Sequence, residues 1–234
     1  MHKPFGPYEK FFKRPLDFIC ALLVIVLFCW LFLILAILVR IKLGSPVIYS
    51  TKRVGRRDLQ TGQDREFELY KFRSMTNETD ENGKLLPDVK RLTKFGRVLR
   101  ASSLDELPEV FNILKGDMSL LGPRPLPGIY LPYYTKEERH RHDVRPGLSG
   151  LAQVSGRNAI SWDQKFQYDL QYVRQITFMG DVSLIFRTVK KVFIREGIGQ
   201  GEQIPVNLHA ERAGWEQTPE GAVRPQAQTE ESKG

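Results

Sequence analysis

An uninterrupted apolar segment near the N-terminus is the feature that most constrains this chain. Residues 18–39, FICALLVIVLFCWLFLILAILV, are 22 consecutive uncharged and almost wholly apolar positions. A helix of that length reaches roughly 33 Å, enough to cross a bilayer. The segment exceeds the ~7–15 residues of a signal peptide's apolar core, and no small-residue cleavage site follows it. We therefore predict a membrane-anchoring helix within residues 1–40.

Basic residues flank this apolar segment on both sides. Lys13 and Arg14 precede it, and Arg40 and Lys42 follow it. Positive residues stay on the cytoplasmic side of a membrane, so a simple span should have an asymmetric distribution of charge. Here both ends favour the cytoplasm. The helix therefore either spans with a weak bias or bends and returns to the face that it entered.

The charge of the chain is unevenly distributed between its body and its tail. The formal net charge is +8, and residues 202–234 carry six Glu against three basic residues, which leaves +11 on residues 1–201. Such a surface favours anionic partners, namely lipid head groups, nucleotide phosphates or nucleic acid. The tail, residues 201–234, lacks apolar periodicity. We predict that it is disordered and that Arg212→Lys within it is silent.

Residues 41–200 have the composition of one globular catalytic domain. The pattern predicts two strands around a turn at Thr61-Gly62, a basic amphipathic helix, and a helix from Leu107 that Gly116 ends. The last predicted helix combines an apolar stripe with basic residues, which suits either a core-facing helix or one at a membrane interface. The predicted fold class is irregular α/β: one membrane helix, interfacial amphipathic helices and a small sheet.

Two adjacent carboxylates, Asp105 and Glu106, stand near the centre of the chain. One interpretation is a capping box, with Ser103 as the N-cap and Glu106 three residues later. That register places Pro108 beyond the first helical turn, whereas proline prefers the first helical position. A helix that begins near Leu107 leaves both carboxylates outside its positive end, where phosphates and metal-bound phosphates also bind. The local pattern leaves capping and function equally open.

Arginines beside turn-forming residues favour a phosphate site. Two prolines enclose Arg124 in GPRP, and a rigid turn that presents one guanidinium suits bidentate binding of a phosphate. Arg145 in RPG and Arg157 in SGR repeat this arrangement. Lys71 and Arg73, at alternate positions of a predicted strand, add cations to one face.

Several familiar catalytic sites are absent from the sequence. It contains no G-x-x-x-x-G-K-[ST] loop and no H-E-x-x-H, and its GIGQG does not follow a strand. Its four histidines all lie in charged or terminal segments, so we expect them to be solvated and give little support to a Ser–His or Cys–His nucleophile. Both cysteines lie in the apolar segment, which excludes a disulfide framework. Enzymatic chemistry here would rest on carboxylates, cations and a metal.

Six ordered motifs make the chain resemble one family. They are KRPLDF, YKFRSM, SLDELP, GDMSLLGPRP, RPGLSGLAQVSGR and SWDQKFQYDLQYV. They occur in the order seen in the bacterial sugar transferase family, the monotopic phosphoglycosyl transferases that begin glycan assembly on polyprenyl phosphate. The likeness runs from about Tyr8 to Glu196, and it is closest to the small enzymes of bacterial protein N-glycosylation.

The resemblance implies a phosphoryl transfer with a covalent intermediate. The aspartate that matches Asp105 attacks the sugar-bearing phosphate of a UDP-sugar, releases UMP and is then displaced by undecaprenyl phosphate. The glutamate that matches Glu106 is tied to Mg²⁺, so both carboxylates are expected at the metal. The expected substrate-binding residues are Lys71, Arg73, Arg100, Arg124, Arg145, Arg157 and Asp169.

The resemblance also implies a location and partners. We expect the protein in the inner membrane of a bacterium, with its catalytic domain on the cytoplasmic face, in contact with membrane lipids and with downstream glycosyltransferases. An N-acetylated or diacetamido hexose is the expected sugar. Two alternatives from other classes are a membrane-anchored nucleic-acid-binding protein, which the basic body permits, and an inactive scaffold for glycosyltransferases. The absence of a nucleic-acid motif and the intact carboxylate pair disfavour them.

One departure from the family concerns the apolar helix. In the family a Ser-Pro pair breaks this helix midway, so that it re-enters and leaves on the same face. Cys29 and Trp30 occupy the aligned positions here. Without proline the strongest cause of a kink is missing, and a straight span is favoured locally. The basic flanks and the remaining motifs favour re-entry, which is our prediction.

Overall fold

A computed structural model of the protein describes residues 3–58, 60–156, 159–194, 207–218 and 221–224. The α-helices in these ranges are Lys13–Leu43 (α1), Asp88–Arg91 (α2), Lys94–Ala101 (α3), Glu109–Lys115 (α4), Leu151–Ser155 (α5), Trp162–Arg174 (α6), Phe178–Ile194 (α7) and Leu208–Glu211 (α8). A π-helical turn, Tyr8–Phe12, leads into α1. Short 3₁₀ helices cover Leu104–Glu106, Gly128–Tyr133 and Glu138–Asp143.

Three two-stranded sheets make up the β structure of the described residues. The strands are Ile48–Val54 (β1), Glu66–Phe72 (β2), Ser119–Leu121 (β3), Gly147–Ser149 (β4), Glu216–Thr218 (β5) and Gly221–Val223 (β6). The predicted hairpin is the antiparallel β1–β2 pair, and β5–β6 is a second one. The α/β class with small sheets is confirmed.

The parallel pair β3–β4 brings two of the glycine-containing motifs side by side. Ser119 is opposite Gly147 in the register. A side chain at Gly147 would place its Cβ 2.0 Å from the backbone nitrogen of Gly122, so only glycine allows the two backbones to approach this closely. The residues after β3, which include Arg124, are thereby held against the segment that leads into β4.

The apolar helix lies along the body instead of projecting from it. Together with the preceding turn it forms one helical stretch, Tyr8–Leu43, which is long and apolar enough to cross a membrane. Its buried residues contact two hydrophobic clusters, one around Ile113 of α4 and one around Phe72 of β2. The opposite face exposes large apolar side chains such as Leu27 and Leu33. One face of α1 therefore contributes to the core, and the other suits lipid.

The helix is bent even though it lacks proline at its centre. Phe28, one residue before Cys29, has φ −112° and ψ 15°, which interrupts regular helical geometry. The straight helix that the local sequence favours is therefore not formed, and re-entry stays a prediction. The physical reason is tertiary: Ala21 packs beside α4, while Leu35 packs in the cluster around Phe72, and the bend lets both halves follow the body.

Helix α7 has the two faces that its sequence predicts. Leu184 is buried in the core, whereas Phe178, Met179 and Phe186 are largely exposed. Exposed apolar side chains on a basic helix are typical of a membrane interface. The interfacial position itself stays a prediction.

The C-terminal tail corrects a second expectation. Part of the segment predicted to be disordered is folded: it forms α8 and the β5–β6 hairpin. Leu208 and Arg212 are almost completely buried, so Arg212→Lys is no longer expected to be silent. Two buried anchors hold this segment, and neither produces the apolar periodicity that identifies an ordinary helix or strand in a sequence.

Candidate active site

The backbone around Asp105 and Glu106 excludes the capping-box interpretation. Ser103 has a left-handed conformation, φ 56°, and its side chain caps no helix. Asp105 and Glu106 lie in a 3₁₀ turn, Pro108 is the N-cap residue, and α4 begins at Glu109. The carboxylates therefore precede the helix, as the position of Pro108 predicts.

Glu106 is held between two cations. Its Oε1 atom accepts hydrogen bonds from Lys71 Nζ at 2.6 Å and from Arg124 Nη2 at 2.9 Å. Burial opposes ionisation of this carboxyl group, but the charges of Arg124 and Lys71 prevail and lower its pKa to about 2. Glu106 is therefore ionised at neutral pH and pairs with both cations.

Asp105 has a different electrostatic environment, although it is the next residue. Its exposed fraction is only 8%. Burial raises the pKa of Asp105 above its usual value, Lys71 and Arg100 oppose this rise, and the charge of Glu106 reinforces it. A poorly solvated carboxylate with a raised pKa is a better nucleophile, once ionised, than one in water.

Glu109 is a site residue that the sequence analysis missed. It is 3% exposed, and its Oε1 lies 3.2 Å from the same Lys71 Nζ that pairs with Glu106. Burial raises the pKa of Glu109 to about 7, against the opposing charge of Lys71. The available signal was its spacing from Glu106, because residues three apart along a helical turn lie on the same side of it.

Lys71, Glu109 and Arg124 line a small open pocket of about 100 Å³, and Asp105 and Glu106 lie beside its lining instead of within it. Its lining residues, which define the pocket throughout, are Arg53, Leu69, Lys71, Glu109, Arg124, Pro125, Leu126 and Pro127. Arg53 was also missed, since nothing in its strand distinguishes it from other surface arginines. Three cations converge on this pocket, so it can accept the charge of a diphosphate.

Asp169 supports the pocket from behind instead of lining it. Arg141 donates two hydrogen bonds to Asp169 Oδ2, at 2.9 and 2.8 Å, and a third to the carbonyl oxygen of Arg124 at 2.7 Å. Both Asp169 and Arg141 are buried. The pair therefore fixes the backbone of the GPRP turn. Arg141 was missed because its charged segment resembles a solvated one.

The other predicted substrate-binding arginines lie apart from the pocket lining. Arg73 is buried and donates to the carbonyl oxygen of Ser45 at 2.5 Å. Arg145 donates to the Gly116 carbonyl oxygen, at the end of α4. Both arginines therefore hold a backbone carbonyl group in place and do not contribute to the pocket lining.

Two arginines remain from the predicted set. Arg100 donates to Ser74 Oγ at 2.8 Å and acts on the pKa of Asp105 through its charge. Arg157 lies outside the described residues.

The residues present can be compared with what Mg²⁺ requires. Within the described ranges, no group of three or more His, Cys, Asp or Glu residues is arranged to hold a metal. Mg²⁺ usually binds through one or two carboxylates, with water and substrate phosphates as the remaining ligands. Asp105 and Glu106, adjacent in one 3₁₀ turn, supply two carboxylates for that mode, and Mg²⁺ itself stays a prediction.

His142 does not behave as its sequence context predicts. It is buried, and its Nδ1 lies 3.1 Å from Asp64 Oδ1. Burial lowers the pKa of His142 to about 4, although Asp64 opposes the shift. The expectation of a solvated histidine is wrong here because its hydrogen-bond partner, Asp64, is 78 residues away in the chain. His142 serves structure and does not line the pocket.

Comparison with known proteins identifies the family. The family model described as bacterial sugar transferase matches residues 8–195. The chain belongs to this family. The carboxylates and the pocket of this sugar transferase all fall within the matched segment, and its enzyme class, phosphoglycosyl transferase, is confirmed.

Curated relatives agree with this assignment. The transferase is 46% identical over 192 residues to the uncharacterized sugar transferase EpsL of Bacillus subtilis, which covers 82% of this chain and 92% of EpsL. It is 36% identical over 195 residues to the UDP-N-acetylgalactosamine-undecaprenyl-phosphate N-acetylgalactosaminephosphotransferase of Aeromonas hydrophila, and 37% identical over 206 residues to the undecaprenyl-phosphate galactose phosphotransferase of Salmonella typhimurium. These matches cover 80% and 81% of this chain, but only 45% and 42% of the two longer relatives.

Proposed function

We propose that this protein transfers a sugar 1-phosphate from a UDP-sugar to undecaprenyl phosphate and releases UMP. The observation that carries the proposal is the pairing of a buried, elevated-pKa Asp105 with an ionised Glu106 that two cations hold. The names of the two longer relatives support the same reaction. The pocket supplies charge for the diphosphate, and the apolar helix brings the lipid acceptor to the same body.

The reaction divides into two displacements at phosphorus. First, an oxygen of Asp105 forms a bond to the sugar-bearing phosphorus, and the bond from that phosphorus to the bridging oxygen breaks. UMP leaves with the electron pair, and the sugar phosphate stays on the protein. Second, a phosphate oxygen of undecaprenyl phosphate attacks the same phosphorus and releases the Asp105 carboxylate. Two steps suit substrates of which one is soluble and the other stays in the membrane.

The charged side chains around Asp105 have separable tasks in this scheme. Arg124 and Lys71 neutralise the diphosphate and the charge on the departing UMP, and Glu106 keeps both cations oriented. Mg²⁺ held by Asp105 and Glu106 would supply further neutralisation of phosphate charge when bound. Glu109 limits the positive charge that Lys71 presents when no substrate is bound.

The proposal also covers the identity of the sugar and the pathway that uses it. We propose an N-acetylated or diacetamido hexose, used in glycan assembly that includes protein glycosylation. The Aeromonas relative carries N-acetylgalactosamine in its name, whereas the Salmonella relative carries galactose. A panel of UDP-sugars, tested for UMP release in the presence of undecaprenyl phosphate, decides among these hexoses.

We also propose that the catalytic domain lies on the cytoplasmic face of the inner membrane and that α1 re-enters. Tyr8 and Lys13, before the apolar segment, both donate to Asp181 of α7 at 2.7 Å. Leu43, at the other end of α1, packs with Phe72 in the same body. Because both ends of α1 contact one domain, a return to the same face accounts for these contacts without displacing either end.

Trapping the covalent intermediate tests the mechanism. Mass spectrometry of the purified protein incubated with an active UDP-sugar, without undecaprenyl phosphate, should show a sugar phosphate adduct at Asp105. Asp105→Asn should eliminate both the adduct and turnover, because an amide is a far poorer nucleophile than a carboxylate. Asp88→Asn is the matched control, since Asp88 is an exposed carboxylate that pairs with Arg91. Full activity of Asp105→Asn would refute the mechanism.

A further inference from the structure

A C-terminal segment outside the family match is folded against the catalytic body. Residues 207–218 and 221–224, which we call the strap, follow the segment 8–195 that matches the family. Leu208 of the strap has no exposed surface and shares a hydrophobic cluster with Tyr134. Burial of this kind requires a defined position, so the strap is part of the folded domain.

Arg212 is the centre of the strap. Its exposed fraction is 1%. It donates to both carboxylate oxygens of Glu138, at 2.6 and 2.7 Å, and to Asp163 Oδ1 at 2.7 Å. A fourth hydrogen bond, at 2.7 Å, reaches the carbonyl oxygen of Tyr133. A planar guanidinium can satisfy this fork of acceptors, whereas the ammonium of lysine cannot.

Two further hydrogen bonds attach the strap to the same part of the body. The Ala222 N–H donates to the Tyr134 carbonyl oxygen at 2.8 Å. The Tyr130 hydroxyl donates to Asn207 Oδ1 at 3.2 Å. Both partners lie within residues 130–138, as do Tyr133 and Glu138, so most strap contacts fall on one continuous segment, and Asp163 of α6 adds a second attachment.

That segment is continuous with one wall of the pocket. Residues 125–127 line the pocket and lead directly into the 3₁₀ helix that contains Tyr130. Arg141 follows the residues that contact the strap, and its guanidinium donates a hydrogen bond to the carbonyl oxygen of Arg124. The strap therefore holds the outer side of a loop whose two ends meet at Arg124.

We propose that the strap positions Arg124 and the wall at residues 125–127 for the diphosphate of the nucleotide sugar, with Arg212 as a positioning residue. This inference rests on the proposed function. Arg212 touches no pocket residue and acts through the backbone of the loop that it holds. Its contribution is preorganisation: the loop is already in place when the substrate binds.

A kinetic cycle between Arg212 and Arg124 tests this proposal. For the UDP-sugar with the fastest turnover, Arg212→Ala should raise KM on the order of tenfold, with kcat changed by less than about twofold. Arg212→Lys should give a smaller rise, because charge remains but the fork is lost. In an Arg124→Lys background, Arg212→Ala should raise KM no further. Arg65→Ala is the control, since the exposed Arg65 pairs with Asp58, which lies outside the loop that the strap holds.

The outcomes separate positioning from support of the fold alone. If Arg212→Ala lowers the thermal unfolding midpoint but leaves KM unchanged, or if its effect multiplies with that of Arg124→Lys, the strap proposal is overturned. If Arg212→Ala yields no folded protein, Asn207→Ala and Arg212→Lys are each combined with Arg124→Lys in the same kinetic cycle. An inactive wild type overturns the proposed function and the strap proposal together. An active wild type with multiplying effects overturns the strap proposal alone.

Discussion

Lys71 pairs with two carboxylates whose pKa values shift in opposite directions. Glu106 has a pKa of about 2, below its ordinary 4.5, so its contribution to stability is present above pH 4.5 and is lost as the pH falls towards 2. Glu109 has a pKa of about 7, so its contribution is present below pH 4.5 and is lost as the pH rises through 7. The Lys71 ammonium group thus contacts one carboxyl group whose contribution to stability is lost at low pH and another whose contribution is lost at high pH.

The variants Glu109→Gln and Glu106→Gln should separate these two dependences. Glu109→Gln removes the ionisation that destabilises the folded state. Between pH 5 and pH 8 its free energy of unfolding should therefore rise above that of wild type, by on the order of 1–3 kcal/mol. Glu106→Gln should destabilise at pH 7, with an effect that shrinks below pH 4.5. Thermal unfolding in detergent at several pH values measures both. Parallel pH profiles for the two variants would contradict this assignment.

At the scale of elements, α1 shows how tertiary contacts replace a local signal. The helix bends at Phe28 without proline, and contacts to α4 and to the cluster around Phe72 lie on either side of the bend. Asp181 accepts hydrogen bonds from Tyr8 and Lys13 at the start of the helical stretch. The bend is therefore held from its ends, and a substitution at its centre should matter less than one at Asp181.

Cysteine labelling in intact cells tests the resulting topology. In a background of Cys20→Ala and Cys29→Ala, Lys3→Cys and Lys52→Cys should both be protected from an impermeant reagent and react after permeabilisation. Trp30→Pro should change this little, because the bend already exists. Asp181→Ala should increase labelling of Lys3→Cys, since it removes the acceptor of both N-terminal hydrogen bonds. Labelling of Lys3→Cys from outside in the otherwise unaltered protein would show that α1 spans.

At the scale of the whole molecule, the sequence predicts what depends on neighbours along the chain. Alternation predicts the β1–β2 hairpin, Gly116 predicts the end of α4, and Pro108 places the carboxylates outside that helix. The pairing of Arg141 with Asp169 joins residues 28 apart and carries no periodic signal. The fold of the tail was missed for the same reason, since its contacts with the body, such as that of Arg212 with Glu138, exist only in three dimensions.

The attachment of the helical stretch to Asp181 has a consequence for biosynthesis. Tyr8 and Asp181 are 173 residues apart in the chain. At about 5–20 residues per second, the ribosome needs roughly 10–30 s to make Asp181 after Tyr8. The apolar segment therefore reaches the membrane long before Asp181, the hydrogen-bond acceptor of Tyr8 and Lys13, has been synthesised. If α1 re-enters as we propose, the returning path is closed only when the C-terminal half has folded, and a chain that stops short of α7 should leave the N-terminus free to cross.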